Sequence, residues 1–324
     1  MTQATRAVCI TGGLGYIGIQ LIKTLDAEGY DSRFLVIDNE LVGSLEDLNS
    51  EAGEALAARV DWINHDIANP LPDDLRPVTE IYHLAGNTGV GPSLDNPLQD
   101  LQANIVGTFN ALNYAVKHKA GVVVASSNAP LGNAEVPVTE KSVCRPLSPY
   151  GASKLAIEGY CSAFANSYGL GSTVFRFGNV YGPGSHKKSS VVAAMSRALL
   201  QNDVVFVEGT GEQTRDFIYV GDLCRALIMG MASNTPGHRE LYQLAPGRET
   251  TILQLAETLC EIHQEESGRP ARIEFKPGRT ADIEKNFADT SHVRNTLGWN
   301  DATEFKDGLR TTYTWLKSHP VVQA

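Results

Sequence analysis

A glycine-rich turn near the amino terminus constrains the fold more than any other feature of this sequence. Residues 7–11 form a short apolar run that indicates a β-strand, and apolar residues at helical spacing continue from Tyr16 to Glu28. Glycines at positions 12, 15 and 18 join the two patterns, so backbone N–H groups and the helix dipole can hold a pyrophosphate there. A tight turn without a ligand would use the same glycines. The predicted cofactor-binding residues of this turn are Gly12, Gly15, Tyr16, Ile17 and Gly18.

An acidic residue ends the second predicted strand. Phe34 to Ile37 form a buried-type strand, and Asp38 follows it directly. A carboxylate at this place can accept hydrogen bonds from both ribose hydroxyls of NAD, and it would repel the 2′-phosphate of NADP. A loop or helix-capping role for Asp38 is the alternative. No arginine follows within several residues, so NAD is the predicted cofactor, with Asn39 next to Asp38 in its site.

Strand and helix patterns alternate through the first half of the chain. This alternation predicts an α/β fold with a Rossmann-type, doubly wound parallel sheet that is covered by helices on both faces. The strands are predicted at 60–63, 80–84, 121–125 and 173–177, and the longer helices at about 97–117 and 149–167.

The pattern changes after Gly184, where helical stretches alternate with short strands. We expect residues 1–182 to form a NAD-binding domain and residues 183–324 to form a smaller mixed α/β substrate domain. Strands near 173–182 and 215–246 are able to cross between the two. Helices are predicted near 190–200, 221–232, 252–264 and 304–316, and strands at 204–207 and 240–244.

Composition and charge exclude several classes of function. The net charge of −10 argues against a nucleic-acid surface, which depends on lysine and arginine. No run of eighteen apolar residues occurs, so no membrane span is expected. The five cysteines are widely spaced and include no C-x-x-C pair, which predicts no disulfide framework, no metal site and a cytoplasmic location.

Tyr150 and Lys154 are predicted to lie on one face of a helix, because they are four residues apart near its start. A nearby ammonium favours the phenolate form of tyrosine, so Lys154 is expected to lower the pKa of Tyr150 and make it a usable base. Tyr313 and Lys317 have the same spacing. That second pair lies in an amphipathic helix far from any strand-end serine, so we interpret it as structural.

A serine completes the predicted catalytic group. The apolar run from Val122 to Ala125 ends in Ser126 and Ser127, 23 residues before Tyr150. The carboxyl ends of parallel strands form the ligand crevice of such sheets. Ser127 could therefore hydrogen-bond the substrate oxygen that Tyr150 deprotonates, although strand-terminating or helix-capping serines are the alternative.

The chain resembles the extended short-chain dehydrogenases/reductases, in the branch of nucleotide-sugar epimerases and dehydratases that includes UDP-glucose 4-epimerases. The resemblance runs nearly end to end. Besides the glycine turn and the Tyr150–Lys154 pair, it depends on the segments at 65–67, 82–86, 104–108, 176–183, 211–217 and 297–299.

The resemblance implies roles for further residues. In the NAD site these are Asp66 and Ile67 beside the adenine, Leu84, Ala85 and Gly86 along the cofactor, and Asn104 and Phe177. In the substrate site they are Thr88, Ser127, Asn128, Asn179, Val191, Arg215, Arg279 and Asp282. Within this set, Asn179, Arg215 and Arg279 would meet the diphosphate, and Asp282 the nucleotide ribose.

The residues after Ser127 favour one reaction within this branch. Relatives that dehydrate or decarboxylate the sugar carry acidic residues there, whereas this chain has Asn128 and Ala129, which cannot serve as acid or base. What remains is 4-epimerisation through a 4-keto sugar, on a UDP-hexose or UDP-N-acetylhexosamine. A dehydratase or a uronic acid decarboxylase using an acid from elsewhere is the alternative, and a simple reductase or a non-enzymatic NAD sensor are further ones.

Three departures from the family pattern affect the expected specificity and assembly. Pro130 and Leu131 stand where relatives carry Val-Tyr. Gly91 stands where uronic acid epimerases carry an arginine, so a neutral sugar is favoured over a uronic acid. Asn286 lies where relatives gate the C2 substituent of the sugar, and it does not decide between a hydroxyl and an acetamido group there.

The helices at 97–117 and 149–167 are where relatives dimerise, so a homodimer is expected.

Overall fold

The structure is a computed structural model, and it describes residues 7–278 and 284–319. In chain order the strands are β1 (Val8–Thr11), β2 (Phe34–Asp38), β3 (Val60–Asn64), β4 (Glu80–His83), β5 (Gly121–Ser127), β6 (Ser172–Phe177), β7 (Asn179–Tyr181), β8 (Val204–Glu208), β9 (Thr214–Arg215), β10 (Phe217–Tyr219), β11 (Arg239–Leu244), β12 (Thr250–Thr251) and β13 (Arg272–Lys276).

The α-helices, in chain order, are α1 (Tyr16–Ala27), α2 (Leu45–Ala52), α3 (Glu54–Ala57), α4 (Val90–Asp95), α5 (Pro97–Leu101), α6 (Gly107–His118), α7 (Pro149–Tyr168), α8 (Val191–Asn202), α9 (Val220–Ala232), α10 (Ile252–Ser267), α11 (Ser291–Leu297) and α12 (Phe305–Ser318). A π-helical turn spans Gln102–Val106, and a 3₁₀ turn spans Ala129–Leu131.

Within the described residues, seven parallel strands form the main sheet in the order β11-β6-β5-β4-β1-β2-β3. The direction of strand order reverses between β1 and β4, and ligands bind outside the carboxyl ends of the strands at such a point. The central strands are largely buried because helices cover both faces. This confirms the predicted Rossmann-type fold.

Two helical layers cover the sheet. The stripe of Ile19, Leu21, Ile22 and Leu25 on α1 is buried against one face, beside α9. Helices α6 and α7 cover the other face, where Leu112 belongs to the buried cluster. In the described part of the chain, no helix combines the length and apolar character that a bilayer crossing requires.

The helix predicted at 97–117 is confirmed, and it contains a π-helical turn that was not predicted. Asn96 caps α5 through a hydrogen bond from Gln99 N to its Oδ1 at 3.1 Å, and the π-helical turn then joins α5 to α6. A π turn inserts one residue and shifts the helix face that follows it. Such turns occur frequently at functional sites.

The remaining elements form a second layer of structure around α8, α10 and α12. Strand β8 pairs with β13, β7 with β10, and β9 with β12. The buried cluster here includes Leu199, Leu255, Leu259 and Tyr313. The chain returns to the main sheet at β11, which pairs with β6, so one strand of that sheet comes from beyond residue 182.

Candidate active site

The glycine turn is closed in a way that only glycine permits. Gly12 has φ +68°, and a Cβ added there would lie 2.7 Å from the backbone nitrogen of Ala85. A Cβ on Gly18 would lie 2.5 Å from the carbonyl oxygen of Gly12. The N–H of Gly15 donates to that same oxygen at 3.1 Å. The turn therefore packs backbone against backbone and presents the start of α1, which fits a pyrophosphate.

Asp38 lies at the end of β2 and faces this turn. Its Oδ2 accepts a hydrogen bond from Leu14 N at 3.0 Å, and its Oδ1 accepts one from Glu40 N at 2.8 Å. Burial raises the pKa of the carboxyl group, and these backbone donors partly oppose the effect. Each oxygen keeps a lone pair for a ribose hydroxyl. Asn39, next to it, is exposed.

The predicted catalytic side chains come together where β5 meets α7. Ser148 caps α7, accepting a hydrogen bond from Gly151 N at 3.1 Å, and this sets Tyr150 in the first turn. Lys154 follows one turn later, with its Nζ 5.8 Å from the ring centroid of Tyr150. The Nζ donates to the carbonyl oxygen of Ala125 at 2.9 Å, so the β-strand itself orients the lysine.

Burial dominates the electrostatics of this pair. It lowers the pKa of Lys154 to about 8, and the carboxylates of Asp100 and Glu158 oppose the shift. Burial also raises the pKa of Tyr150, Asp100 adds to the rise, and a hydrogen bond from Ser127 opposes it. The expected lowering of the Tyr150 pKa is therefore wrong for the protein alone, because desolvation of the phenolate outweighs the favourable contacts.

Asp100 is a residue that the sequence reasoning missed. It is 1% exposed, and its Oδ1 accepts a hydrogen bond from Asn104 Nδ2 at 3.0 Å. The same Nδ2 lies 3.1 Å from Ser153 Oγ, one residue before Lys154. The available signal was an aspartate four residues before Asn104, a spacing that places both on one helix face.

Asn104 and Gly86 form the wall of the predicted cofactor site. The Oδ1 of Asn104 is buried, finds no hydrogen-bond partner among the described residues, and faces Gly86, which has φ +153°. A buried carbonyl of this kind requires a donor. Phe177 lies opposite Ser127 in the β5–β6 register, and Leu84 N donates to Thr11 O at 3.1 Å. The residues present therefore fit a dinucleotide.

The predicted adenine residues follow β3. Asp66 is exposed, and its Oδ1 accepts from Ala68 N at 2.9 Å. The side chain of Ile67 is buried, and a Cβ added to Gly107 would lie 2.8 Å from its Cγ2. The side chain of Ile67 thus packs the segment after β3 against the start of α6. Only its backbone or Asp66 is then able to contact an adenine base.

The predicted substrate residues lie on the elements that border the same crevice. Asn128 is 8% exposed, and its Nδ2 donates to Asn286 Oδ1 at 3.3 Å. Asn179 begins β7, Thr88 is exposed after Gly86, and Val191 begins α8. Arg279 and Asp282 lie outside the described residues.

Arg215 is positioned by the residue that follows it. The carboxylate of Asp216 accepts hydrogen bonds from Gly247 N at 3.1 Å, Arg248 N at 3.2 Å and Ala288 N at 3.2 Å. Burial raises the pKa of Asp216 to about 6. One buried carboxyl group therefore ties two segments, at 247–248 and at Ala288, to the end of β9, where Arg215 stands.

Lysines of the loop between β7 and α8 contact α1 and α2. Lys188 Nζ lies 5.1 Å from the ring centroid of Tyr16, and burial lowers its pKa. Lys187 Nζ lies 2.6 Å from Asp47 Oδ2. The loop thus covers the start of α1, close to the glycine turn.

The Tyr313–Lys317 pair has a different environment. Tyr313 is fully buried, and its hydroxyl lies 2.7 Å from His263 Nδ1. Lys317 Nζ donates to Glu266 O at 2.6 Å on the surface. These contacts join α10 to α12, as expected for a structural pair.

The family model described as GDP-mannose 4,6 dehydratase matches residues 9–312. The chain belongs to this family. Its members are extended short-chain dehydrogenases/reductases, which confirms the resemblance stated from the motifs.

Relatives of this chain span several activities on one scaffold. A UDP-glucose 4-epimerase of Mycolicibacterium smegmatis is 29% identical over 95% of this chain and 98% of its own. UDP-glucuronic acid decarboxylase 1 of Xenopus tropicalis is 29% identical over 98% of this chain and 74% of its own.

Solved structures agree with this placement. The UDP-N-acetylglucosamine 4-epimerase of Methanobrevibacter ruminantium, in complex with UDP-N-acetylmuramic acid, has a TM-score of 0.86 at 29% identity, covering 98% of this chain and 99% of that one. MoeE5 in complex with UDP-glucuronic acid and NAD has a TM-score of 0.78 at 28% identity, covering 95% and 98%.

Proposed function

We propose that this protein is an NAD-dependent nucleotide-sugar 4-epimerase acting on a UDP-hexose or a UDP-N-acetylhexosamine. The observation that carries the proposal is the grouping of Ser127, Tyr150 and Lys154 at the carboxyl end of β5, beside Asn128 and Ala129. The first three residues suit oxidation and reduction at a sugar carbon. The last two provide no acid or base for a further elimination.

The residues divide the proposed reaction between them. The phenol oxygen of Tyr150 takes the proton of the C4 hydroxyl and later returns it, while Ser127 hydrogen-bonds the same oxygen. Lys154, held by Ala125, donates to the nicotinamide ribose. NAD⁺, when bound, supplies the hydride acceptor, the returning hydride and a positive charge that favours the phenolate. The 4-keto sugar turns its other face before it is reduced, so no net redox change results.

The environment of Asn128 supports an epimerase over a lyase. Its amide nitrogen is held by Asn286, and its buried Oδ1 lacks a partner within residues 7–278 and 284–319. A neutral amide in this position binds a sugar hydroxyl and transfers no proton at neutral pH. Asp100 and Glu158 are buried carboxylates whose charges act on Lys154; Asp100 accepts a hydrogen bond from Asn104 on the cofactor side, and Glu158 pairs with Arg176.

The substrate class follows from charge. Gly91 supplies no cation for a uronic acid carboxylate, and Arg215, with Arg279 from outside the described residues, provides guanidinium groups for a diphosphate. Asn286 contacts Asn128, so it is positioned to sense the sugar ring from the second domain. These features support a neutral sugar on a nucleoside diphosphate.

We also propose a cytoplasmic homodimer that pairs through α5, α6 and α7. Leu98 is 62% exposed, Phe109 41% and Tyr160 39%, and Phe109 packs edge-on against Tyr160 at 6.0 Å between ring centroids. Clustered apolar exposure of this kind marks an interaction surface. Phe164, on the same helix as Tyr160, is buried in the core. The five free cysteines fit a reducing compartment.

The decisive experiment incubates the purified protein and catalytic NAD with UDP-glucose, UDP-N-acetylglucosamine, UDP-glucuronic acid and GDP-mannose in turn. Mass spectrometry and proton NMR follow the products. A new anomeric signal at unchanged mass is expected with one of the UDP-sugars. Loss of water or carbon dioxide would overturn the epimerase in favour of the dehydratase or the decarboxylase, and stoichiometric release of NADH would favour a reductase.

A further inference from the structure

Three metal-ligating side chains meet where α2, the loop between β7 and α8, and the end of α12 come together. Glu51 lies on α2, His186 lies in the loop, and His319 follows the last residue of α12. A carboxylate oxygen of Glu51 and one ring nitrogen of each histidine lie within 4.8 Å of one another. The three residues are far apart in the sequence, so no sequence motif indicates this cluster.

Two of these side chains are buried, and His186 lacks a hydrogen bond. The side chain of His186 is 4% exposed, and neither ring nitrogen has a well-aligned hydrogen bond within the described part of the chain. Asp47 Oδ1 lies 3.4 Å from its Nε2. The side chain of Glu51 is 5% exposed, and it forms an ion pair with Lys23, whose Nζ lies 3.7 Å away. The buried ring nitrogens of His186 are therefore the polar atoms of this cluster that require a partner.

The imidazole rings of His186 and His319 are stacked face to face. Their centroids are 4.2 Å apart with 20° between the planes, and Trp315 packs against both, at 5.6 Å from His186 and 4.7 Å from His319. A neutral imidazole donates the lone pair of one ring nitrogen to a metal. The aromatic wall limits the positions that the rings can take.

We propose that Glu51, His186 and His319 bind a divalent transition metal ion, and that the ion is Zn²⁺. Two imidazole nitrogens and one carboxylate oxygen form a donor set that zinc favours. Tetrahedral zinc places its ligand atoms roughly 3.4 Å apart, so small side-chain rotations close the present spread. The carboxylate of Asp47, next to His186, or a water molecule completes the coordination.

A bound ion would join three parts of the molecule. It would link α2, which follows the ribose-binding strand, to α12 at the other end of the chain. It would also fasten the loop that carries Lys188 over Tyr16 at the glycine turn. The proposed role is therefore a structural brace that holds this loop in place, separate from the chemistry at Tyr150.

The test measures zinc binding directly. The full chain is stripped with a chelator and then titrated with Zn²⁺ against a chromophoric competitor, with elemental analysis for stoichiometry and thermal unfolding in parallel. We expect one Zn²⁺ per chain and a higher melting temperature when zinc is present. Co²⁺ in its place is expected to give the visible absorption of a tetrahedral site.

Variants separate this site from adventitious binding. His186→Ala and His319→Ala are each expected to weaken zinc binding by more than about tenfold and to abolish the thermal shift. Glu51→Gln keeps the side-chain size and is expected to give the same result. It replaces a histidine variant that fails to fold. The matched control is His238→Ala, because His238 pairs with Glu240 on the surface and is 61% exposed.

Two results would overturn the proposal. One is the lack of stoichiometric zinc binding by the folded wild-type chain. The other is zinc binding that the His186 and His319 variants retain, or that His238→Ala removes. Circular dichroism, measured for every variant, shows that the fold is intact, and neither it nor zinc binding depends on the proposed epimerase activity.

Discussion

Asp100 Oδ1 accepts a hydrogen bond from Asn104 Nδ2 at 3.0 Å, which joins α5 to the π-helical turn that follows it. The Asp100 carboxylate is buried, and its charge favours a higher pKa for both Tyr150 and Lys154. Asn104 also faces Gly86 in the predicted cofactor site. The predicted cofactor wall and the proposed proton-transfer group are therefore linked through one side chain.

Replacing Asp100 should shift the pH dependence of catalysis. In Asp100→Asn the negative charge is gone, so the pKa values of Tyr150 and Lys154 both fall. The pKa of Lys154 is about 8, so kcat/KM is expected to fall on the alkaline side as the ammonium is lost, and this fall then moves to lower pH. Asp95→Asn, an exposed change on neighbouring α4, should leave the profile unchanged. An unshifted profile in Asp100→Asn would contradict the electrostatic link.

Tyr150→Phe should abolish turnover while the protein stays folded. The phenol oxygen is the proposed proton acceptor, so we expect kcat to fall by about 10²- to 10⁴-fold with little change in NAD affinity. The chain offers its own control, since Tyr313 has the same spacing to a lysine. Tyr313→Phe should keep kcat and lose about 1 kcal/mol of stability with the His263 hydrogen bond. Equal losses of turnover in both variants would be incompatible with the assigned roles.

Asp38→Ala should weaken NAD binding and reduce the preference for NAD over NADP. The carboxylate offers two acceptors to the ribose hydroxyls, and a hydrogen bond to a charged group contributes about 1.5–3 kcal/mol. We therefore expect NAD affinity to fall by roughly 10- to 150-fold. Fluorescence titration with both dinucleotides measures it. A variant that binds NAD as tightly as the wild type would refute the assignment.

Gly12→Ala should destabilise the turn and prevent cofactor binding. The added Cβ meets the Ala85 backbone at 2.7 Å, and alanine is disfavoured at φ +68°. Gly29→Ala is the matched control, because Gly29 has φ +82° with no atom within 4 Å of the added Cβ. Gly29→Ala should lose about 1–2 kcal/mol in chemical denaturation from its backbone conformation, Gly12→Ala should lose more because of the added clash, and only Gly12→Ala should lose NAD binding in the same titration. Normal NAD affinity in Gly12→Ala would show that the close approach is dispensable.

Much of the fold was predictable because its signals are local. The glycines from 12 to 18, the apolar strands and the amphipathic helices are decided within a few residues of each other, and the structure confirms the parallel sheet that they predict. Tyr150 and Lys154 were predictable for the same reason, since helix geometry fixes their relative position. Their roles in the reaction remain predictions.

What the tertiary structure alone decided is how distant groups interact. Burial reverses the expected shift of the Tyr150 pKa, because the desolvation energy depends on every element that packs around the phenol. Asp100 lies just before a π turn that the sequence pattern did not predict. The meeting of Glu51, His186 and His319 requires three elements from separate parts of the chain to fold together. Sequence periodicity reports which face of an element is buried, and only the packing determines what that face meets.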